Sequence, residues 1–236
     1  MMKHLLATIL LLAAFVPCLS AGRPYVVEVG KFSKLEIPNN LTVVYRCHPD
    51  SVGKARYECP DMLAGAVMFS NSGNGSLKVQ ISPDFIDREH MLPVIYVYSE
   101  FLSEVVSSSE RRVSVYSPAR CSQFKGVLMG NGTLDLHGLD CDKAVGVLAS
   151  GNGTVILRGK CDSALLKLTG TGRVDAFGMD AGDVVCQTLG TGDITCSFSK
   201  SLVQKGLGST TIHYKGDPGK VRKKGLAKFN HVPDCD

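Results

Sequence analysis

Two aspartates set the first chemical question of this 236-residue chain: Asp135 and Asp175 stand in equivalent places of a repeated pattern, each three residues after a Gly-x-Gly triplet. Paired carboxylates cleave glycosidic bonds, one acting as acid and the other as base or nucleophile, at separations of about 5 to 9.5 Å. If each repeat is one coil of a stacked β structure rising about 4.8 Å, the two backbones lie about 10 Å apart, near the upper end of the inverting range. The slot between them holds Ile156, and no histidine, arginine or third carboxylate shares it. Carboxylates on an exposed strand face are mostly just solvated. Asp135 and Asp175 therefore carry an alternative reading, a polysaccharide-cleaving hydrolase or lyase, beside a non-catalytic one.

The glycines raise a second possibility. Gly130 and Gly132, Gly151 and Gly153, Gly170 and Gly172, Gly190 and Gly192, Gly206 and Gly208 each bracket one residue, and Gly73 and Gly75 do so upstream. A phosphate cradle needs a helix N-terminus behind the loop and usually a third glycine three residues on. That position holds Asp135, Ile156, Asp175 and Thr195, and strand-like sequence follows, so no nucleotide or other cofactor is expected. The triplets are better explained as tight corners, where glycine alone takes positive φ or a close backbone approach without steric cost. Asn40, Asn74, Asn131 and Asn152 fit the glycosylation sequon, but three of them sit in these corners, where asparagine is already favoured by its tolerance of left-handed backbone.

Cysteine supplies the remaining reactive groups. Of the nine, Cys18 lies in a leader-like segment, and the other eight show no Cys-x-x-Cys and no clustering with histidine, so no metal is expected. Cys121, Cys141 and Cys161 are spaced by 20 residues, with Ala181 next in the series. Stacked on adjacent coils, their Cα atoms would lie about 4.8 Å apart, within disulfide reach. One bridge inside this file is expected, the third thiol staying free or meeting Cys235. Cys47 and Cys59 flank a hairpin of residues 45–47 against 56–59 and make a second expected bridge. Cys186 and Cys196 fall on inward positions as small hydrophobes.

These residues must be positioned by the repeat itself. First glycines at 130, 151, 170, 190 and 206 give steps of 21, 19, 20 and 16. After each second glycine, positions two and four along are Leu134 and Leu136, Val155 and Leu157, Val174 and Ala176, Ile194 and Cys196, Thr210 and Ile212. Apolar residues at period two mark the inward face of a strand. A second short apolar run precedes each triplet, so each coil holds two strands and two corners. The expected fold is an all-β parallel solenoid with coils of about 20 residues. Residues 22–236 read as one domain, irregular over 22–120 and regular over 121–236. The last run, residues 225–229, reads as a further coil whose basic approach, residues 215–224, is its solvated outer surface and edge protection.

Met1 to Ala21 read as a secretory signal peptide: Lys3, then an apolar stretch over residues 5–16, then small residues. Pro17 before Cys18 disfavours lipid attachment, and no later segment is apolar for the roughly 20 residues a membrane-spanning helix needs. Loss of Lys3 takes the formal charge from +4 to +3, too mild to indicate nucleic acid.

The order of motifs resembles the GIN-domain family of auto-transporter adhesin heads: residues 32–37 leading to 41–44, then Gly75 to Val79, then Pro93 to Tyr98, and finally the Gly-x-Gly coils. The resemblance implies a right-handed parallel β-helix, export to the envelope of a Bacteroidetes-type cell, and no established activity. It supports an exported binding or adhesin-like scaffold, found in the periplasm, at the surface or secreted. A glycan or another envelope protein is the expected partner; the oligomeric state is left open.

Overall fold

The computed structural model describes residues 22–233. The segment read as a leader, with Cys18, and Cys235 at the other end lie outside the described residues. In chain order the strands are β1 (Arg23–Glu28), β2 (Lys34–Ile37), β3 (Thr42–Arg46), β4 (Lys54–Cys59), β5 (Val67–Ser72), β6 (Ser76–Ile81) and β7 (Val94–Tyr98). Then come β8 (Glu104–Ser107), β9 (Arg112–Tyr116), β10 (Cys121–Met129), β11 (Thr133–Ser150), β12 (Thr154–Leu168) and β13 (Arg173–Ala176). The last are β14 (Met179–Thr188), β15 (Asp193–Ser197), β16 (Ser201–Gly206), β17 (Thr211–Lys215), β18 (Val221–Gly225) and β19 (Lys228–His231). They form a β-solenoid of about six turns with parallel bridges about 20 residues apart.

Two walls enclose one core. The first wall stacks β6, β2, β8, β10, the end of β11, the end of β12, β14, β16 and β18 in parallel. The second stacks β7, β3, β9, the start of β11, the start of β12, β13, β15, β17 and β19. The alternation read in the sequence decides which side chains enter: Leu134, Leu136, Val155, Leu157, Val174, Ala176, Ile194 and Cys196 are no more than 2% exposed. Residues 225–229 do form a last coil, as β18 and β19 bridge β16 and β17.

The core is thin, and opposite walls share its volume. A Cβ on Gly126 would lie 2.6 Å from Leu136 Cδ1, and one on Gly146 would lie 2.7 Å from Leu157 Cδ1. Leu166 and then Cys186 continue the Gly126 and Gly146 row, while Cys196 follows Ala176 in the opposite wall. Leucine thus faces glycine in the early coils, alanine faces leucine in the next, and the fully buried Cys186 and Cys196 free thiols neighbour each other in the one after.

Close approach explains the corner glycines more often than positive φ does. Among the corner pairs of the regular coils, φ is positive at Gly130, Gly151 and Gly206. A Cβ on Gly190 would instead fall on the Gly170 carbonyl oxygen, and one on Gly192 on that of Gly172. Gly208, not Gly206, continues this column, because it stacks on Gly190 while Gly206 stacks on Thr188. The step of 16 read in the sequence is therefore 18, and the fifth corner is shifted by two residues. Gly73 and Gly75 also differ from expectation: they belong to an antiparallel hairpin of β5 and β6, closed where Ser72 faces Ser76.

The opening departs most from the sequence reading. Coil β2–β3 lies in the middle, with β6 and β7 on one side and β8 and β9 on the other, so the chain leaves this coil, builds its outer neighbour, then crosses back. Antiparallel β4 and β1 extend the second wall beyond β7. The expected hairpin of Cys47 with Cys59 does not exist, since β7 lies between β3 and β4. Arg46 and Lys54 both face Tyr98, so Cys59 lies at the far end of its strand, about 20 Å of extended chain from Cys47. No bridge can span that.

Cys121, Cys141 and Cys161 do stack in register, followed by Ala181. All seven described cysteines are free thiols, Cys47 exposed and the others buried. Burial first, and then the neighbouring Cys161 and Cys121 sulfurs, push the Cys141 thiol up to about 12. Burial pushes Cys161 up to about 11.

Two outcomes follow from this packing. Gly146→Ala overpacks the core against Leu157, an effect of about 1 to 3 kcal/mol, and Leu157→Ala in the same chain should recover part of it; a denaturant double-mutant cycle reads the coupling. The folded thiols hold their protons while the unfolded chain ionises from about pH 9, so their contribution is complete below that pH and is lost as pH rises through about 11 to 12. Between pH 9 and pH 11, at fixed denaturant composition, the wild type should lose stability faster than the Cys141→Ala/Cys161→Ala variant.

Candidate binding face

The outer surface of the second wall carries the groups able to do chemistry. Its outward rows run along the solenoid axis, because in-register stacking places equivalent residues of successive coils side by side. One row is Tyr98, Arg46, Tyr116 and His137, on β7, β3, β9 and β11. The Arg46 guanidinium lies 5.4 Å from the centre of the Tyr116 ring, in cation–π range. Tyr116 in turn stacks on His137 at 5.2 Å and 12°. Arg56, from β4, lies 5.7 Å over the Tyr98 ring. Aromatic, guanidinium and imidazole groups thus form a continuous partly exposed ladder. Beside its first rungs is a groove of about 570 Å³, lined by Pro24, Val26, Arg56, Val94, Tyr96 and Tyr98.

The adjoining row contains both aspartates, in the order Ser114, Asp135, Ile156, Asp175, Thr195, His213 and Asn230. Asp135, Ile156 and Asp175 share the row as the sequence suggests. The two-residue shift of the fifth corner also brings His213 into it, against the expectation that no histidine shares the slot, and the expected solvation is absent at Asp135. Asp135 is only 6% exposed. Arg112, one coil before it, pairs with Oδ2 at 2.5 Å, and His137 Nε2 lies 2.7 Å from Oδ1. Asp175 accepts hydrogen bonds from Thr195 Oγ1 at 2.6 Å and from the Phe177 backbone N–H at 3.2 Å. Each carboxylate is engaged within the wall, and Ile156 separates them. The two are neighbours in a ladder and do not converge on a cleft, as acid and base would.

A second charged ladder lines the opposite corner, outside the cysteine file. Arg120 bonds Asp140 at 2.6 Å and Asp142 at 2.9 Å, and Lys160 reaches Asp140 at 3.2 Å. These pairs are exposed and of alternating sign, so they neutralise one another and contribute little each. In the tail, Arg222, Lys223 and Lys224 are exposed on the last strand of the first wall, as an edge strand requires.

Sequence reasoning missed the Tyr98–Arg46–Tyr116–His137 row entirely. Tyr116 and His137, 21 residues apart, follow the coil period, but Arg46 and Tyr98 do not, because β7 is inserted out of spatial order. Aligning the apolar alternation of residues 42–46 with those of 94–98 and 112–116 would have brought three of the four together.

No helix among the described residues is long and apolar enough to cross a membrane. Solved structures share the architecture. A putative adhesin from Bacteroides fragilis superposes with a TM-score of 0.70 at 21% identity, covering 89% of this chain and 96% of that one. A putative lipid binding protein from Parabacteroides distasonis does so with a TM-score of 0.67 at 18% identity, covering 89% and 96%. A putative adhesin from Parabacteroides merdae gives 0.58 at 18%, covering 90% and 96%. Among curated proteins none matches. At such identities the likeness shows the fold alone. The family model described as "Putative auto-transporter adhesin, head GIN domain" matches residues 31–218, and the chain belongs to that family.

Proposed function

We propose that this protein is an exported, non-catalytic binding scaffold of the cell envelope, and that it holds an extended glycan, or a segment of another envelope protein, across the outer surface of its second wall. The observation that carries this reading is the Tyr98–Arg46–Tyr116–His137 ladder beside the groove at Tyr96 and Arg56. Tyrosine and arginine present large, amphipathic contact areas, and they dominate the energetics of recognition surfaces. Stacked at the coil spacing, they suit a ligand with its own linear repeat. A rigid solenoid holds such a row without paying ordering entropy at the moment of binding. The leader and the family both favour export. Catalysis by Asp135 and Asp175 is disfavoured because each is held in internal contacts and Ile156 separates them in the row.

Retention on a panel of immobilised bacterial and host polysaccharides, with parallel assays for new reducing or unsaturated ends, tests this directly. Retention without product is expected, and Arg46→Ala or Tyr98→Ala should weaken it by about tenfold or more, the effect of a central contact residue. Appearance of product that depends on Asp135 or Asp175 would establish the enzyme instead. A structural role for Asp135 makes a separate demand: Asp135→Asn should lower stability by about 1 to 3 kcal/mol in denaturant titration, as loss of a buried charged partner does. Asp142→Asn, at an exposed pair, should cost less than about 1 kcal/mol.

A further inference from the structure

The corner that joins the first wall to the second changes character along the axis. Its outermost slot holds Met129, 41% exposed, and then the small polar Ser150 and Thr169 in the middle coils. In the last three coils the slot holds Leu189, Leu207 and Leu226, exposed by 62%, 73% and 65%. They stand in line, because Gly208 stacks on Gly190 and Gly225 bridges Gly206. The result is a narrow leucine ridge about 10 Å long, pointing away from the core. The core does not require it, since serine and threonine serve the same slot earlier.

Lysines accompany the leucines. Lys167, Lys205 and Lys224 lie in one outward row of the first wall, with Gln187 between the first two, and Lys205 and Lys224 each precede a ridge leucine by two residues. Across the corner the carboxylate is Asp193, which has His213 Nε2 at 3.8 Å. Exposed leucines flanked by a basic row match the composition of surfaces that lie in the lipid interface, with apolar tips among the acyl chains and lysines at the headgroups. A second copy of the chain fits worse. It would bring the same lysine row against itself, and the ridge is too slender for the roughly 800 Å² per partner of a stable protein interface.

We infer that the ridge of Leu189, Leu207 and Leu226 seats the C-terminal coils on an anionic lipid surface, with Lys205 and Lys224 at the headgroups. The Tyr–Arg ladder lies on the opening coils, at the other end of the stack from the ridge. Membrane seating is independent of what the ladder binds.

Co-sedimentation with vesicles of phosphatidylglycerol and phosphatidylethanolamine, against vesicles of phosphatidylcholine alone, tests the inference. Wild type and the triple variant Leu189→Ser/Leu207→Ser/Leu226→Ser are prepared identically, and serine is chosen because Ser150 already fills the slot. Binding to the anionic vesicles alone is expected, weakened about tenfold or more by the triple substitution, by Lys205→Gln/Lys224→Gln, and by raising salt from about 0.05 to 0.5 M. An unchanged melting temperature of each variant shows that the fold is intact. The inference is overturned by equal binding to neutral vesicles, by binding indifferent to the serines, or by no binding at all. It is overturned equally if the serines instead dissociate a dimer in sedimentation velocity.

Discussion

Everything in this molecule depends on how closely one coil's backbone can approach the next. Parallel in-register pairing satisfies the main-chain donors and acceptors of each coil with those of its neighbours, but only if the corners come as close as the strands do. At Gly190 and Gly192 a single Cβ would land on a carbonyl oxygen of the preceding coil. Corner glycine is therefore a condition for the walls to stay in register, and register in turn decides which residues share a row. The Cys121 file, the Asp135 and Asp175 row and the tyrosine–arginine ladder are all consequences of that one spacing.

The thin core carries the same constraint inward. With only two walls, a side chain from one is packed against a side chain from the other, and bulk on one side demands its absence opposite. Gly126 and Gly146 in the middle of strands are costly by propensity, yet they are what admits Leu136 and Leu157. Tertiary packing overrides local preference here in a way that neither strand reveals alone.

This explains what could be read from the sequence and what could not. The regular coils were legible because period-two alternation repeated every 18 to 21 residues, and the inward residues from Leu134 to Cys196 are buried as that period requires. The same register correctly aligned Cys121, Cys141 and Cys161. Reading failed where equal local patterns had different partners. Gly73 and Gly75 look like a coil corner but close a hairpin, and Gly206 looks like a first glycine although Gly208 fills that role. Cys47 and Cys59 look like hairpin neighbours, but another strand lies between theirs. Asp135 was placed on the correct face, while its pairing with Arg112 depends on a side chain from the preceding coil. The tyrosine–arginine ladder was hidden for the same reason as the hairpin, since three of its rungs belong to the irregular opening.

The inserted order of that opening also governs how the molecule can assemble. A simple solenoid can nucleate at its first coil and add turns as chain becomes available. Here β2 and β3 acquire their neighbour on one side from β6 and β7, and on the other from β8 and β9, so the earliest coil remains unsupported until residues far downstream arrive. Closing those long loops comes before any return from stacking, a slow step by topology. Once it is done, the regular coils have a finished template with a free edge, and each later turn can lay down locally. The slow step of folding is thereby confined to about the first half of the chain, the same half that carries the tyrosine–arginine ladder.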